Sequence, residues 1–443
     1  MSKKTIRQLK ERSRKYSIKD GFFTTVRTSV GDTYISPFAI ALNASNSLIA
    51  IIRSVSCLIG PLSQVLSTKL IEKKSRKKIV LKAVFFESLL WIPMIIIAYL
   101  YHINIIKSIL PLLMLLTFSV YTIFSYMSTP AWFSWMGDLV DKEYRGKWFS
   151  KRNRILGFGT IIFSIFAAII LDLAKRNNKT MFGFIILFSM ALIARFIARH
   201  YLSRQYEPKR KIKNKYYFSF FDFLKKAHTN NYGKFSIFRA LFSLAINIAG
   251  PFWTVYMLRN LGFNYVTFMM ITIAPTVYTI LVIRSMGKFS DRFGNYRVLC
   301  ISSVLISFYP ILWLLSHNPL YLILVPQLIG GIGWAGFNLA INNFTFDSVK
   351  PQKRSFALSY NNLMDGIGIF FGAIIGAILV KFLKIGFMDT LLFIFLISSL
   401  LRIIVSLTMI PLIREIRKTE SFDSKKVFEK IIFHPQHHTH PKS

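Results

Sequence analysis

The feature that most constrains this chain is a recurrence of apolar runs, each roughly 20 residues long, separated by short polar stretches along nearly its whole length. A hydrocarbon core about 30 Å thick needs a run of that length for one helical crossing. Runs that long are rare in soluble chains, and here 53% of the 443 residues are hydrophobic and 15% aromatic. The mean hydropathy is +0.45. The chain is therefore expected to be an all-α membrane protein. The spans read from the sequence are 20–42, 46–69, 77–100, 105–136, 147–173 and 180–202, then 234–257, 264–287, 296–316, 318–345, 353–382 and 388–413. They imply an N-terminal tail at 1–19, a six-helix bundle at 20–202, a linker at 203–233, a second bundle at 234–413 and a disordered tail at 414–443. The first span is the most polar, with Arg27 and Asp32 inside it. Such a helix crosses only if its polar face looks into protein or water.

A formal charge of +38 could point to nucleic acid. Nucleic-acid binders concentrate Lys and Arg on one soluble surface. Here the basic residues lie between the apolar runs and at both ends, as the positive-inside rule requires of cytoplasmic loops. No nucleic-acid partner is expected. One side collects Lys77, Lys78, the 141–148 loop, the linker, the 291–297 turn, the 350–355 loop and both termini, so both termini are assigned to the cytoplasm. Lys175, Arg176, Lys179, Lys381 and Lys384 fall on the poorer side and weaken that bias. Cys57 and Cys300 form no disulfide framework, and no signal peptide or lipidation pattern is present. His434, His437, His438 and His440 have no acid or cysteine close by in the polar tail and are not read as a metal site. In the linker, Phe218, Phe221 and Leu224 share one helical face, which predicts a short amphipathic helix at the membrane surface.

The two sets of spans repeat each other. Shifting the fourth and fifth spans by 209 positions places Asp138 on Asp347, Arg145 on Arg354, Asn153 on Asn362 and Gly157 on Gly366, with no gap. The turn after the second span repeats at a shift of 219. Gly287, Lys288, Asp291, Arg292, Gly294 and Arg297 meet Thr68, Lys69, Glu72, Lys73, Ser75 and Lys78. A third echo sets Ser36-Pro37-Phe38 against Gly250-Pro251-Phe252.

Parallel repeats of six spans joined by a basic linker resemble the major facilitator superfamily over about residues 20 to 415. The Gly287–Gly294 turn is similar to that family's G-x-x-x-D-R-x-G pattern, and residues 135–159 are similar to its fourth-to-fifth-helix segment. The resemblance implies twelve helices in two pseudo-symmetric bundles and secondary active transport of a small solute by alternating access. It also implies a gating role for Asp291 and Arg292, with Gly287, Gly294, Arg297 and Glu72 in the same turns. The matching gate pairs are expected to be Asp138 with Arg145 and Asp347 with Arg354. A cargo cavity between the first, fourth, seventh and tenth spans draws attention to Tyr34, Asn247, Trp253, Trp334 and Asn338, with Asn153, Asn362 and Asp365 from the fifth and eleventh.

Charges inside spans are costly and read as functional. Helical rise places Arg27 and Glu87 at similar depth, and Asp32 level with Arg53. Arg27 and Asp32 are five residues apart, about 140° around a regular helix, so they are read as poor partners for each other. The expected pairs are Arg27 with Glu87 and Asp32 with Arg53. Asp32, with Glu87 second, is the candidate for proton uptake. Gly368, Gly372 and Gly376 make a smooth stripe for close helix packing. No ATP-binding G-x-x-x-x-G-K-[ST] loop and no metalloprotease or serine-hydrolase motif occurs, so a pump and an enzyme are both disfavoured, and no cofactor is expected. The alternative kept is a transporter-like receptor without net transport. The expected partners are a small solute of unassigned class, a proton and membrane lipids, with the chain acting as a monomer in the cell membrane.

Overall fold

The computed structural model describes residues 3–140, 145–208, 219–349, 354–383, 385–417 and 419. The N-terminal half contains α1 (Lys3–Val30), α2 (Ile35–Ala41), α3 (Asn46–Lys73), α4 (Arg76–Leu89), α5 (Trp91–His102), α6 (Leu110–Leu139), α7 (Arg145–Arg176) and α8 (Thr180–Ser203). After the short α9 (Phe220–Lys225), the C-terminal half contains α10 (Asn231–Ala249), α11 (Phe252–Val255), α12 (Tyr265–Phe293), α13 (Asn295–Leu312), α14 (Pro319–Leu324), α15 (Pro326–Ser348), α16 (Arg354–Phe382) and α17 (Thr390–Met409). Among the described residues, eleven helices are long and apolar enough to cross a membrane, counting α4–α5, α10–α11 and α14–α15 as single crossings. The twelfth place, first in the chain, is taken by α1 and α2 together, which pack on α7 and α8. The protein is a multi-pass membrane protein.

The first crossing departs from the sequence reading in two ways. Its helix begins at Lys3 rather than near residue 20, so the polar segment assigned to a tail is helical. Ser13 and Ser17 within it are buried, and the Ser13 hydroxyl accepts from the Tyr206 amide at 2.8 Å. The crossing is also broken. Val30 ends α1, a 3-10 turn covers Asp32–Tyr34, and α2 restarts at Ile35. Pro37 has no N–H to offer the carbonyl of Thr33, so the helix cannot run straight through; Pro is tolerated in the first turn of α2 instead. Gly31 makes room for the break, because a Cβ there would meet the Trp91 ring and the Arg27 carbonyl. The echo around Pro251 is a second break of this kind, between α10 and α11, followed by a π-helical turn at Tyr256–Asn260.

Gly368, Gly372 and Gly376 each set α16 directly on the α10 backbone, at the carbonyls of Ala240, Leu244 and Ile248. In α9, Phe220 and Phe223 pack on Tyr360 of the C-terminal half, while Phe221 and Leu224 face outward, 73% and 45% exposed. The predicted surface face is thus the outer face of α9, with Phe218 outside the described residues.

Hydrogen bonds join the halves at the ends opposite the linker. The Asp172 carboxylate accepts from the Tyr265 and Val266 amides at 2.8 and 2.9 Å, capping α12 from the other half. Arg259 donates to Asn46 Oδ1 and the Ala44 carbonyl, and Ser47 Oγ to the Ala377 carbonyl. The side facing away from the linker is therefore shut. Farther toward the linker side, Asn153 on α7 and Asn338 on α15 are exposed.

Candidate functional site: buried charges and a paired gate

The densest polar cluster lies inside the N-terminal half. Glu87, completely buried on α4, takes Arg27 Nη1 on one oxygen at 2.6 Å and Arg195 Nη2 on the other at 2.6 Å. Arg195 also donates to Thr24 Oγ1 at 2.8 Å. Asp32 lies 3.2 Å from Arg27 Nη1, and its carboxylate accepts from the Tyr121 hydroxyl at 2.6 Å; Arg27 also bonds to Tyr121. Two guanidinium and two carboxylate groups thus cancel in formal charge. Their exposures differ: the Glu87 side chain is 0% accessible and the Asp32 side chain 27%.

The expected Arg27–Glu87 pair is present, but Arg27 and Asp32 also touch, against the helical-wheel argument. That argument assumes an unbroken helix; the turn at Gly31–Tyr34 swings Asp32 back toward Arg27. The expected Asp32–Arg53 pair does not form, and Arg53 stays exposed. Arg195 escapes the sequence reading, although a charge inside the apolar run of α8 obeys the same rule that singles out Glu87.

Beside this cluster is a cavity of about 320 Å³ lined by N-terminal-half residues, among them Asp20, Thr28, Trp132, Arg152 and Arg195. Arg152 sits over the Trp132 ring, donates to the Ser17 carbonyl and lies 4.0 Å from Asp20. Asp20 in turn accepts from Gln205 Nε2 at 2.8 Å, near the linker end of α8. The cavity thus runs from the linker side toward Arg195 and its partner Glu87.

In the C-terminal half, Arg239 donates to Asp365 Oδ2 at 2.8 Å and Asn362 Oδ1 at 3.1 Å, and Ser243 donates to the other Asp365 oxygen. Of the remaining cavity candidates, Asn153 and Asn338 are exposed, and Trp334 packs edge-on against Phe337. Three are otherwise engaged. Tyr34 is fully buried and donates to the Ser164 carbonyl, Asn247 donates to the Ser243 carbonyl one turn back, and Trp253 stacks on Phe395 at 3.8 Å. Aromatic and amide residues fill a helix bundle as readily as they line a cavity.

On the linker side the repeat becomes a pair of matching clusters. Arg76 on α4 reaches Asp138 at 2.6 Å, and its own amide donates to Glu207 at 2.8 Å; Ser75 also donates to Glu207. A shift of 219 carries Arg76 onto Asn295. Asn295 donates to Asp347 at 2.8 Å, and the next amide, of Tyr296, donates to Glu415 at 2.8 Å. Each half therefore ties the start of one helix to an acid at the end of another and to a glutamate beyond its last helix. The cation differs in origin. Arg417 supplies it in the second half, 2.7 Å from Asp347 and 3.6 Å from Asp291.

These contacts bring to two of the expected gate acids partners that the sequence reading does not name. Asp138 pairs with Arg76 and Asp347 with Arg417, whereas the side chains of Arg145, Arg354 and Glu72 lie outside the described residues. Gly287 has nothing within 4 Å of where a Cβ would sit, so it permits no close approach. Gly294 does: at φ +94° it adopts a left-handed conformation, and a Cβ would strike Glu415. Arg292 lies over the Phe293 ring, and Arg297 donates to the Phe293 carbonyl. Glu415 and Arg417, assigned from sequence to a tail, belong to the cluster, while the four tail histidines lie outside the described residues.

The profile of the Major Facilitator Superfamily matches residues 21–231 and 235–436. Among curated protein sequences none matches the chain significantly. Similar solved structures include the nucleoside transporter NupG, at 15% identity and a TM-score of 0.66, covering 91% of this chain and 98% of that one. A bacterial homologue of the iron transporter ferroportin in an inward-facing state gives 15% identity and 0.67, covering 93% and 99%. The E. coli xylose transporter XylE, in a partially occluded inward-open conformation, gives 11% and 0.65, covering 94% and 100%. At these identities the structures speak for the fold, and the profile for the family. The chain belongs to the major facilitator superfamily and is a secondary transporter.

Proposed function

We propose that the protein carries a small solute by alternating access, coupled to protons through Asp32, with both termini in the cytoplasm. The observation that carries the coupling is the asymmetry between the two acids that share Arg27. Glu87 is sealed and held by two arginines, so its charge is fixed. Asp32 is partly accessible and is held through Arg27 and the Tyr121 hydroxyl. A proton on Asp32 leaves Arg27 anchored by Glu87 while releasing the 3-10 turn that joins α1 to α2. The cavity from Asp20 to Arg195 offers water a route from the cytoplasm to this cluster. Positive-inside loops support the orientation.

The paired clusters brace the cytoplasmic ends of each half, so that each half tilts as one body. Asp291, 78% exposed and only loosely held by Arg417, is free to be the contact made when that side closes. In liposomes, the solute that the wild type moves would be followed at two external pH values in wild type and Asp32→Asn. Loss of pH dependence is expected; undiminished, pH-dependent transport by the variant sinks the proposal.

A further inference from the structure

Arg53 lies seven residues into α3, roughly 10 Å below the end where the halves meet. Its side chain is exposed, and among the described residues no acid pairs with it. It does not face lipid. Cys57, four residues on and about 40° around the helix, shares its face, and the Cys57 carbonyl and the Pro61 ring abut Gly366 of the other half. The exposed Leu62 and Leu66 lie on the opposite side of α3, about 180° and 220° from Arg53. Arg53 thus points into the space between the halves, within electrostatic reach of Tyr126, which also feels Asp32, and of Cys57, which also feels Asp365.

Both nearby acids are already committed. Asp32 is held by Arg27 and Tyr121, and Asp365 by Arg239 and Ser243. Arg27 and Arg195 balance Asp32 and Glu87, and Arg239 balances Asp365. Arg53 is the surplus charge on the face between the halves. A guanidinium at that depth, exposed between the halves and without an acid partner among the described residues, is set to take an anion, and its planar fork of donors matches carboxylate or phosphate oxygens two at a time. The partly exposed Tyr126 ring packs on Gly60, seven residues on and on the same face of α3 as Arg53.

We infer that the transported solute is a small anion bearing a carboxylate or phosphate group, bound between the halves by Arg53. This rests on the transporter reading and deepens it. A neutral or cationic cargo would leave Arg53 uncompensated in every bound state.

The test is the melting temperature of purified wild type, Arg53→Gln and Arg53→Lys with a panel at matched concentration and ionic strength. Acetate, lactate, succinate and benzoate probe carboxylates; inorganic phosphate and glycerol 3-phosphate probe phosphates; xylose, uridine and choline are the neutral and cationic controls. At least one anion should stabilise the wild type. Arg53→Gln should weaken that binding about tenfold or more, the loss of one charge-assisted contact, and Arg53→Lys should keep part of it. Whether the responding anions are carboxylates or phosphates identifies the group. The inference is overturned if no anion stabilises the wild type, if only a neutral or cationic solute does, or if anion stabilisation survives Arg53→Gln with the variant otherwise folded. The transporter reading fails separately, if an anion that binds is not moved into liposomes by the wild type.

Discussion

Replacing Glu87 with Gln should destabilise the N-terminal half far more than replacing Asp32 with Asn, although both changes remove one negative charge from the same cluster. Glu87 meets two guanidinium groups, each at 2.6 Å and each nearly sealed, with 8% and 6% accessible side chains. At a charge separation of about 4 Å and an effective dielectric near 20, each attraction is worth roughly 4 kcal/mol. Removing the carboxylate also removes its desolvation penalty of several kcal/mol, and breaking a buried pair in this way nets a loss of about 3–5 kcal/mol. The glutamine would leave Arg27 and Arg195 facing one neutral amide, with their mutual repulsion no longer screened. For a half of this size the loss corresponds to a fall in melting temperature of roughly 10 °C. Asp32 differs because water reaches it and because asparagine can still accept from Tyr121, so its loss should be about 1 kcal/mol, as for partly exposed pairs. The assay is thermal unfolding in detergent, read by intrinsic fluorescence, with the two variants side by side. If Glu87→Gln melts within about 2 °C of wild type, or if Asp32→Asn is the more damaging change, the division into a fixed and an exchangeable acid is wrong.

Three further outcomes follow from other contacts. Asp172→Ala strips the cross-half cap from the first amides of α12; a lost cap of about 1 kcal/mol shifts a two-state balance roughly fivefold. A cysteine at Ser47 should then react correspondingly faster with a membrane-impermeant maleimide added from outside. Gly372→Leu should abolish the folded protein on size-exclusion chromatography, since even a Cβ there collides with the Leu244 carbonyl, whereas Gly287→Ala, with open space around it, should fold like wild type or slightly better. Arg402→Met should raise the melting temperature. Arg402 is buried on α17 with carbonyl partners and, among the described residues, no carboxylate; its Nε is unsatisfied, and a guanidinium buried in this way carries a desolvation cost of several kcal/mol that a thioether does not.

What the sequence disclosed follows from how local each signal was. Spans appear as runs of composition, and the positions of α3 to α17 agree with the apolar segments to within a few residues, because hydropathy alone decides them. Gly368, Gly372 and Gly376 were legible for the same reason, as a spacing. The Asp32 partner was not, because it depends on a break whose cause, Gly31 before Pro37, was visible while the resulting direction of the chain was not. Arg145 and Arg354 stand near Asp138 and Asp347 in sequence, which is what recommends them there. Arg76 and Arg417, which the structure sets against those acids, come from segments far away in sequence and close only in space. Arg195, Arg239 and Arg402 become visible once the rule for intramembrane charge is applied to every span.

The paired clusters show what the repeat conserves and what it lets drift. Both halves keep an acid at the end of the fourth helix and a glutamate beyond the sixth that accepts from the start of the third, because the open amides of a helix N-terminus at the membrane edge need an acceptor in either half. The cation is not bound to one position in this way. A charge that only has to sit between two acids can come from any chain segment that reaches them, and here Arg76 supplies it from inside one half and Arg417 from beyond the last helix of the other. The same freedom accounts for Gly294 standing where the first half has Ser75. Ser75 donates to its glutamate through a side chain, while Gly294 lets Glu415 approach by having none. The two gates are therefore built to one plan but held by different groups. A change that weakens one need not weaken the other, and the C-terminal gate depends on residues that hydropathy assigns to a tail.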